Sequence, residues 1–402
     1  MGEIRLLVIG CPNPHGTGGE RRSWYILNAM AEVDVDLYVI VDEFCGMTPF
    51  VAKAKFEIYR LKGIAGRLLR STSAYSYPIR LLMIFKLSKV LRKLIQDFQP
   101  DLVVSHDELP WNIMAVYMSS SRRPWTAFLN ELPGGLPLLK WYARETIGRL
   151  DFYKSIMKYA LCRKILCALN ETIPLLVSKS LEVELKGLGL ELRRYIIPAI
   201  PFGVNWTLLK KVKPYEKQYD ATFVARLVPE KGIYDLIYIW KIVTNIIKDA
   251  TLCIIGRFCR RKDHIKLKHL VKKYGLENNI TFKGYLAENE KFSILKSSKI
   301  FLYPSRYDAG PITVLEALAC GIPVVAYKVP AIMLNYPTNA VIKANIGHYS
   351  EMAYKAISLL MDDELRTKLK QSAISFSSNY TWKRAAEAEL EAYKNILNQD
   401  EK

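Results

Sequence analysis

Hydrophobic positions along this 402-residue chain come in short blocks rather than in one repeating stripe. "IRLLVIG" (4–10), "VDLYVIV" (35–41), "PDLVVSHDE" (100–108) and "KILCALN" (164–170) are such blocks, rich in Val, Ile and Leu. Runs of this length with little polar alternation predict strands buried on both faces of a parallel sheet. A longer stretch with helical spacing, 21–32, predicts a helix between the first two. The rhythm breaks across "IIPAIPFGVNWTLLKKVKPYEKQ", where Pro198, Pro201, Gly203 and a charged run read as a linker. It then restarts with strands at "YDATFVARL", "ATLCIIG", "NITFKGY", "KIFLYPS" and "IPVVAYK", and a long helix at "GIYDLIYIWKIVTNIIKD". The last stretch, "YTWKRAAEAELEAYKNILNQ", is a helix with no strand after it. This alternation predicts an α/β fold of two doubly wound domains, 1–205 and 206–375, with a closing segment, 376–402, that packs back on the first. The length agrees, being too great for one ordinary core.

In doubly wound sheets ligands sit at the carboxyl ends of the strands, so polar residues there are the first candidates. His106 directly follows the strand "DLVVS", and Gly16, Gly18 and Gly19 precede the first helix in "CPNPHGTGGE". Glycines in that place let a phosphate or sugar approach the backbone closely. Arg21 stands where the last glycine of a G-x-G-x-x-G fingerprint would be, which argues against a dinucleotide cofactor. In the second domain, Arg226 and Lys231 of "VARLVPEKG" lie between a strand and a helix, a placement that suits a diphosphate and equally describes a charged turn.

The stretch "SRYDAGPITVLEALACGIPVVAY" carries two acids eight positions apart. Gly310 and Pro311 predict a helix beginning at Pro311 and running through Ile312, so Asp308 lies in the loop before it and Glu316 between one and two turns inside. Asp308 has an ordinary explanation as an acid near a helix start. Glu316 sits among apolar and small residues, where a charge needs a partner or a ligand hydroxyl. Asp34-Val35-Asp36 has the D-x-D form of a metal-nucleotide site, but no other ligand cluster supports it, and neither a metal nor any other cofactor is expected.

The formal net charge is +19, and residues 51–98 carry eleven Lys and Arg against Glu57 and Asp97, while 135–165 carries seven against two acids. Both segments interleave their bases with Leu, Ile, Tyr and Met, which suits an anionic membrane surface or a lipid-phosphate acceptor as well as a solvated helix face. No nucleic-acid module accompanies the charge, so no nucleic-acid partner is expected. Seven scattered cysteines without a C-x-x-C pair read as thiols in a reducing compartment. No apolar run reaches the ~18 residues of a membrane span, and the amino-terminal residues do not form a signal peptide. These readings predict a cytoplasmic protein, peripheral on the inner face of the cell membrane.

Taken in order, these motifs resemble those of retaining glycosyltransferase family 4, which has the GT-B fold. "GTGGERRSW" resembles the family's first glycine loop, and "PDLVVSHD" its strand ending in His. "IPFGVN" is similar to the interdomain I-P-x-G-V-D signature with Asn205 in place of Asp, and "VARLVPEKG" to the diphosphate element G-R-L-x-x-x-K-G with Ala225 in place of Gly. "FLYPSRYDAGPITVLEALACGIPVVA" matches the E-x7-E region with Asp308 as its first acid, shorter than Glu by about 1.5 Å of reach.

The resemblance implies two Rossmann-like domains facing a central cleft, an amino-terminal acceptor domain and a carboxyl-terminal donor domain. The expected activity is metal-independent hexosyl transfer with retention, from a UDP- or GDP-sugar to a glycan or polyprenyl-phosphate-linked acceptor. Glu316 would hold the ribose, and Asp308, beside Gly310, Pro311 and Ile312, the sugar. Arg226 and Lys231 would hold the diphosphate, His106 would contact the sugar, and Gly18 and Gly19 would admit the donor. The same fold also serves nucleotide-sugar epimerases, and a non-catalytic membrane- or nucleotide-binding partner is a further alternative.

Overall fold

The computed structural model describes residues 4–10, 12–16, 18–33, 35–42, 56–62, 77–106, 109–120, 123–130 and 163–400. Asp34, Asp107 and residues 51–55, 63–76 and 135–162 of the two basic segments lie outside the described residues. The chain divides into two compact units, Met1–Phe202 with Trp382–Lys402, and Gly203–Thr381.

The first unit holds six parallel strands: β1 Ile4–Ile9, β2 Val35–Asp42, β3 Phe56–Leu61, β4 Leu102–Ser105, β5 Trp125–Leu129 and β6 Leu175–Leu176, in the order β3-β2-β1-β4-β5-β6. Every residue of β4 and β5 is buried, which explains why their sequences carry no polar face. The strand order reverses between β1 and β4, so the loops that leave these neighbours diverge at the carboxyl edge. The first helix spans Gly18–Ala31. The closing helix, Trp382–Asp400, belongs to this unit, where Trp382 stacks on Tyr25 with ring centroids 4.7 Å apart.

One predicted strand is a helix. Within "KILCALN", Ile165, Leu166, Ala168 and Leu169 are buried while Lys164 and Cys167 are exposed, and 163–169 is helical. That spacing marks one helix face, a pattern that a seven-residue apolar run conceals.

The second unit repeats the architecture with β7 Tyr219–Val224, β8 Leu252–Ile255, β9 Ile280–Gly284, β10 Ser298–Tyr303, β11 Val324–Tyr327 and β12 Val341–Ala344. Its order is β12-β11-β10-β7-β8-β9, all parallel, with the reversal between β10 and β7. The helix Ile233–Ile246 buries Leu236, Ile237, Ile239, Trp240 and Val243. Burial of each such aliphatic side chain stabilises the fold by roughly 1.5–3 kcal/mol. Among the described residues no helix is long and apolar enough to cross a membrane.

Candidate functional site

The loops that leave β7 and β10 carry five of the sequence candidates, Arg226, Lys231, Asp308, Gly310 and Pro311, and the structure stitches these loops together. After β7 the chain runs through Arg226, which is exposed, into a single 3-10 turn, Pro229–Lys231. Gly232 then starts the helix Ile233–Ile246 at φ 75°, and a Cβ there would stand 1.8 Å from the carbonyl oxygen of Pro304. Only glycine fits, because both the backbone angle and the contact with the loop after β10 forbid a side chain. Arg306 N donates to Glu230 O at 2.9 Å, and Lys231 Nζ donates to Tyr307 O at 3.2 Å. Gly256, after β8, makes a similar approach to Ala225 O, which fixes the loop that carries Arg226.

Lys231 and Asp308 meet in an ion pair, each side chain 13% exposed. Asp308 also accepts from the Tyr303 hydroxyl and from Gly310 N, the latter at 3.1 Å. Burial pushes the Asp308 carboxyl up, but Lys231, Tyr303 and Gly310 outweigh it and hold the group below the ordinary carboxylate range. Burial, joined by the Asp308 charge, raises the Tyr303 hydroxyl far above its usual value, so it stays a donor. Pro311 caps the helix Ile312–Ala319 rather than opening it, at φ −74° and ψ 88°, and its carbonyl accepts from Tyr336 Oη at 2.7 Å.

Glu316 is the fifth residue of that helix and is buried, as its apolar neighbours predict. Its Oε1 accepts from Lys291 Nζ at 2.7 Å, and the two side chains are 2% and 6% exposed. Lys291 belongs to the helix Glu288–Lys296, between β9 and β10. The second unit thus gathers Arg226, Lys231, Asp308, Gly310, Pro311, Ile312 and Glu316 at the carboxyl edge of its sheet, on the connections that follow β7 and β10. Tyr303 and Lys291 escaped sequence reasoning. A tyrosine ending a buried strand looks like core, and Lys291 lies among charged and polar residues, Glu288, Asn289 and Glu290, that read as a solvated helix face.

The remaining candidates belong to the first unit. Gly18 and Gly19 open its first helix, with nothing within 4 Å of a Cβ built on Gly18 and the Asn130 side chain 3.2 Å from one on Gly19. His106 follows β4, as its position in the sequence predicts, and its ring is fully enclosed. Nδ1 lies 2.8 Å from Ser23 Oγ and Nε2 lies 2.5 Å from Glu389 Oε1 of the closing helix. Arg22 pairs with the other Glu389 oxygen, donates to Pro201 O at 2.5 Å and lies 3.5 Å over the Phe128 ring. Nothing near His106 in the sequence marks a partner 283 residues away. Among the described residues no group of three or more His, Cys, Asp or Glu could hold a metal ion.

Comparison with known proteins fits this geometry. Residues 204–376 match the family described as Glycosyl transferases group 1. The chain is 26% identical over 274 residues to an uncharacterized glycosyltransferase of Methanocaldococcus jannaschii, covering 64% of this chain and 62% of that protein. It is 22% identical over 174 residues to the O-antigen chain mannosyltransferase B of Escherichia coli, covering 43% of this chain and 45% of that one. The chain therefore spans less than two thirds of the length of these relatives. Sucrose-phosphate synthase from Thermosynechococcus elongatus superposes with a TM-score of 0.76 at 16% identity, over 99% of this chain and 100% of that one. The lipopolysaccharide-biosynthesis glycosyltransferase WaaG superposes at 0.67 and 15%, over 96% and 99%. Two six-stranded parallel sheets give the chain a two-domain GT-B fold, and its second unit is the part that matches glycosyl transferases group 1.

Proposed function

We propose that the protein is a retaining, metal-independent glycosyltransferase that moves a hexose from a UDP- or GDP-sugar to a glycan or polyprenyl-phosphate-linked acceptor at an anionic membrane surface. The observation that carries this reading is the convergence of Arg226, Lys231, Asp308 and Glu316 on the adjacent connections after β7 and β10 in a group 1 domain. In this reading Arg226 and Lys231 take the diphosphate, and Glu316 the ribose. A similar fold, Anabaena HepE at a TM-score of 0.68 and 15% identity, has been crystallised with UDP-glucose, which supports a nucleotide-sugar in this one.

In the proposed reaction the bond from the anomeric carbon to the β-phosphate oxygen breaks, and a bond to the acceptor oxygen forms on the same face. The acceptor proton passes to the departing phosphate. Negative charge then grows on the nucleoside diphosphate, where fixed cations stabilise it without reorganising. Asp308 already holds Lys231, so it both aims that cation and stands beside the sugar. Contact between His106 and the sugar would require the ring to leave Ser23 or Glu389, and we assign it a supporting part.

An acceptor rich in phosphate is supported by the overall charge and by the helix Arg261–Lys273, which exposes Arg261, Lys262, Lys266, Lys268, Lys272 and Lys273. The test is release of nucleoside diphosphate from UDP-, GDP-, ADP- and dTDP-sugars, with and without a lipid-phosphate acceptor extract, beside a Glu316→Ala control. Release from one donor, raised by acceptor and lost in the control, supports the reading. A folded protein that releases nothing from any donor overturns it.

A further inference from the structure

The Lys291–Glu316 pair is an odd expense for a packed helix. Two opposite charges taken from water into an apolar interior can lose more hydration than their attraction returns, so such a pair is weak support for stability by itself. Both side chains are almost wholly enclosed, at 6% and 2% exposure, and Nζ meets Oε1 at 2.7 Å. Glu288, in the first turn of the same helix, places a second carboxylate oxygen 3.9 Å from Nζ and is itself 20% exposed. The ammonium thus stands between a buried acid and one that reaches water. Lys291 is the fourth residue of the helix that follows β9 and Glu316 the fifth of the helix that follows β10, so the pair joins the connections that leave these two strands. Elsewhere on Glu288–Lys296 the buried residues Phe292, Ile294 and Leu295 are apolar, and apolar packing would have served at 291 as well.

We propose that Lys291 is a positioning residue for the nucleoside end of the donor: it keeps Glu316 a charged, aimed acceptor for the ribose hydroxyls and shifts along the Glu288 side when the nucleotide arrives. This rests on the donor-site reading given above. The chemistry is specific to a vicinal diol. A carboxylate accepts from two neighbouring hydroxyls, whereas a protonated carboxyl must spend one oxygen as a donor. Lys291 donates only, so it can support the carboxylate but cannot replace it as an acceptor. Other titratable groups acting on or through Glu316 are Cys320, Tyr336 and, through Cys320, Lys296. Burial raises the Cys320 thiol and the Tyr336 hydroxyl well above their ordinary values, which leaves both neutral between pH 6 and 8.

The test measures the dissociation constants of UDP and GDP from pH 6 to 8 by titration calorimetry, for the parent chain, Lys291→Met, Lys291→Arg and the double variant Lys291→Met with Glu316→Gln. Without its cation, a carboxyl in this enclosure titrates upward. Lys291→Met should therefore lose affinity as pH falls, by about tenfold per pH unit below the raised value. The parent should vary by less than about twofold over the range, and Lys291→Arg should follow it. The double variant has no carboxyl left to titrate at this position, so its weaker affinity should be flat with pH, and it removes the buried charges together should the single variant fold poorly. Steady-state kinetics of Lys291→Met should show a raised donor KM at low pH with kcat little changed. If the parent binds a nucleotide and Lys291→Met binds it equally well at every pH, or is weakened equally at every pH, the inference falls and the donor site stands. If the parent binds neither nucleotide, the donor-site reading falls and takes this inference with it.

Discussion

Glu389 and Asp308 are both carboxylates held by a cation and a tyrosine hydroxyl, yet one is buried and the other only part-buried. Glu389 is fully enclosed within the first unit by Arg22, His106 and Tyr393, whose hydroxyl donates to Oε1 at 2.5 Å. Asp308 and its partner Lys231 keep 13% exposure at the carboxyl edge of the second sheet, beside the connection that carries Arg226. A closed cluster ties the closing helix to the first helix and to the end of β4. A partly open one can exchange a protein partner for a ligand. Access to water separates the two clusters: the first is wholly enclosed, and the second keeps some at the edge where the proposed donor site lies.

Removing the acid of the closed cluster should have the greatest consequence. Glu389→Ala leaves Arg22 and His106 buried without their acid, which should cost about 3–5 kcal/mol of stability. Urea unfolding of the whole chain checks it, and a loss under about 1 kcal/mol would mean the cluster is not a tie. The pH dependence has a definite sign. Burial raises the Glu389 carboxyl, but Arg22 and His106 bring it down to about 2 from 4.5. A depressed folded-state value means the stabilisation is complete above the unfolded value and is lost as pH falls from about 4.5 towards 2. Unfolding midpoints of parent and Glu389→Gln should therefore converge over that window.

On the binding side, Lys231→Met should lower kcat by about 10²–10³-fold, as expected for loss of a fixed donor at developing charge. A kcat within about twofold of the parent would reduce the Lys231–Asp308 pair to structure and erase the contrast. Glu316→Ala should weaken nucleoside diphosphate binding by about 10- to 100-fold, the range for a hydrogen bond to a charged acceptor. Calorimetry reads this directly. The smallest effect sharpens the comparison instead. Tyr303→Phe removes one of the hydrogen bonds to Asp308 and should cost about 0.5–1.5 kcal/mol in stability and a few-fold in kcat. A larger fall in kcat would make Tyr303 part of the sugar contact itself.

Most strands were legible in the chain because β1, β4, β8 and β11 are short apolar runs, buried throughout or nearly so, which have no other stable use in a globular protein. The helix at 163–169 was not, because seven residues are too few to separate a helix face from a strand by spacing. The "PEKG" turn was visible as a turn, while the reason for its glycine, the Pro304 carbonyl against it, belongs to a neighbouring loop. The chain alone set most element types, the position of Arg226, Lys231 and Asp308 on connections after strands, and the need of Glu316, inside the following helix, for a partner. Only the tertiary structure decided who that partner is, that His106 is held by Glu389, and that β7 and β10 are neighbours. Local residue type sets how a segment folds, whereas the pairing of distant segments depends on sheet order, which the spacing of one chain does not encode.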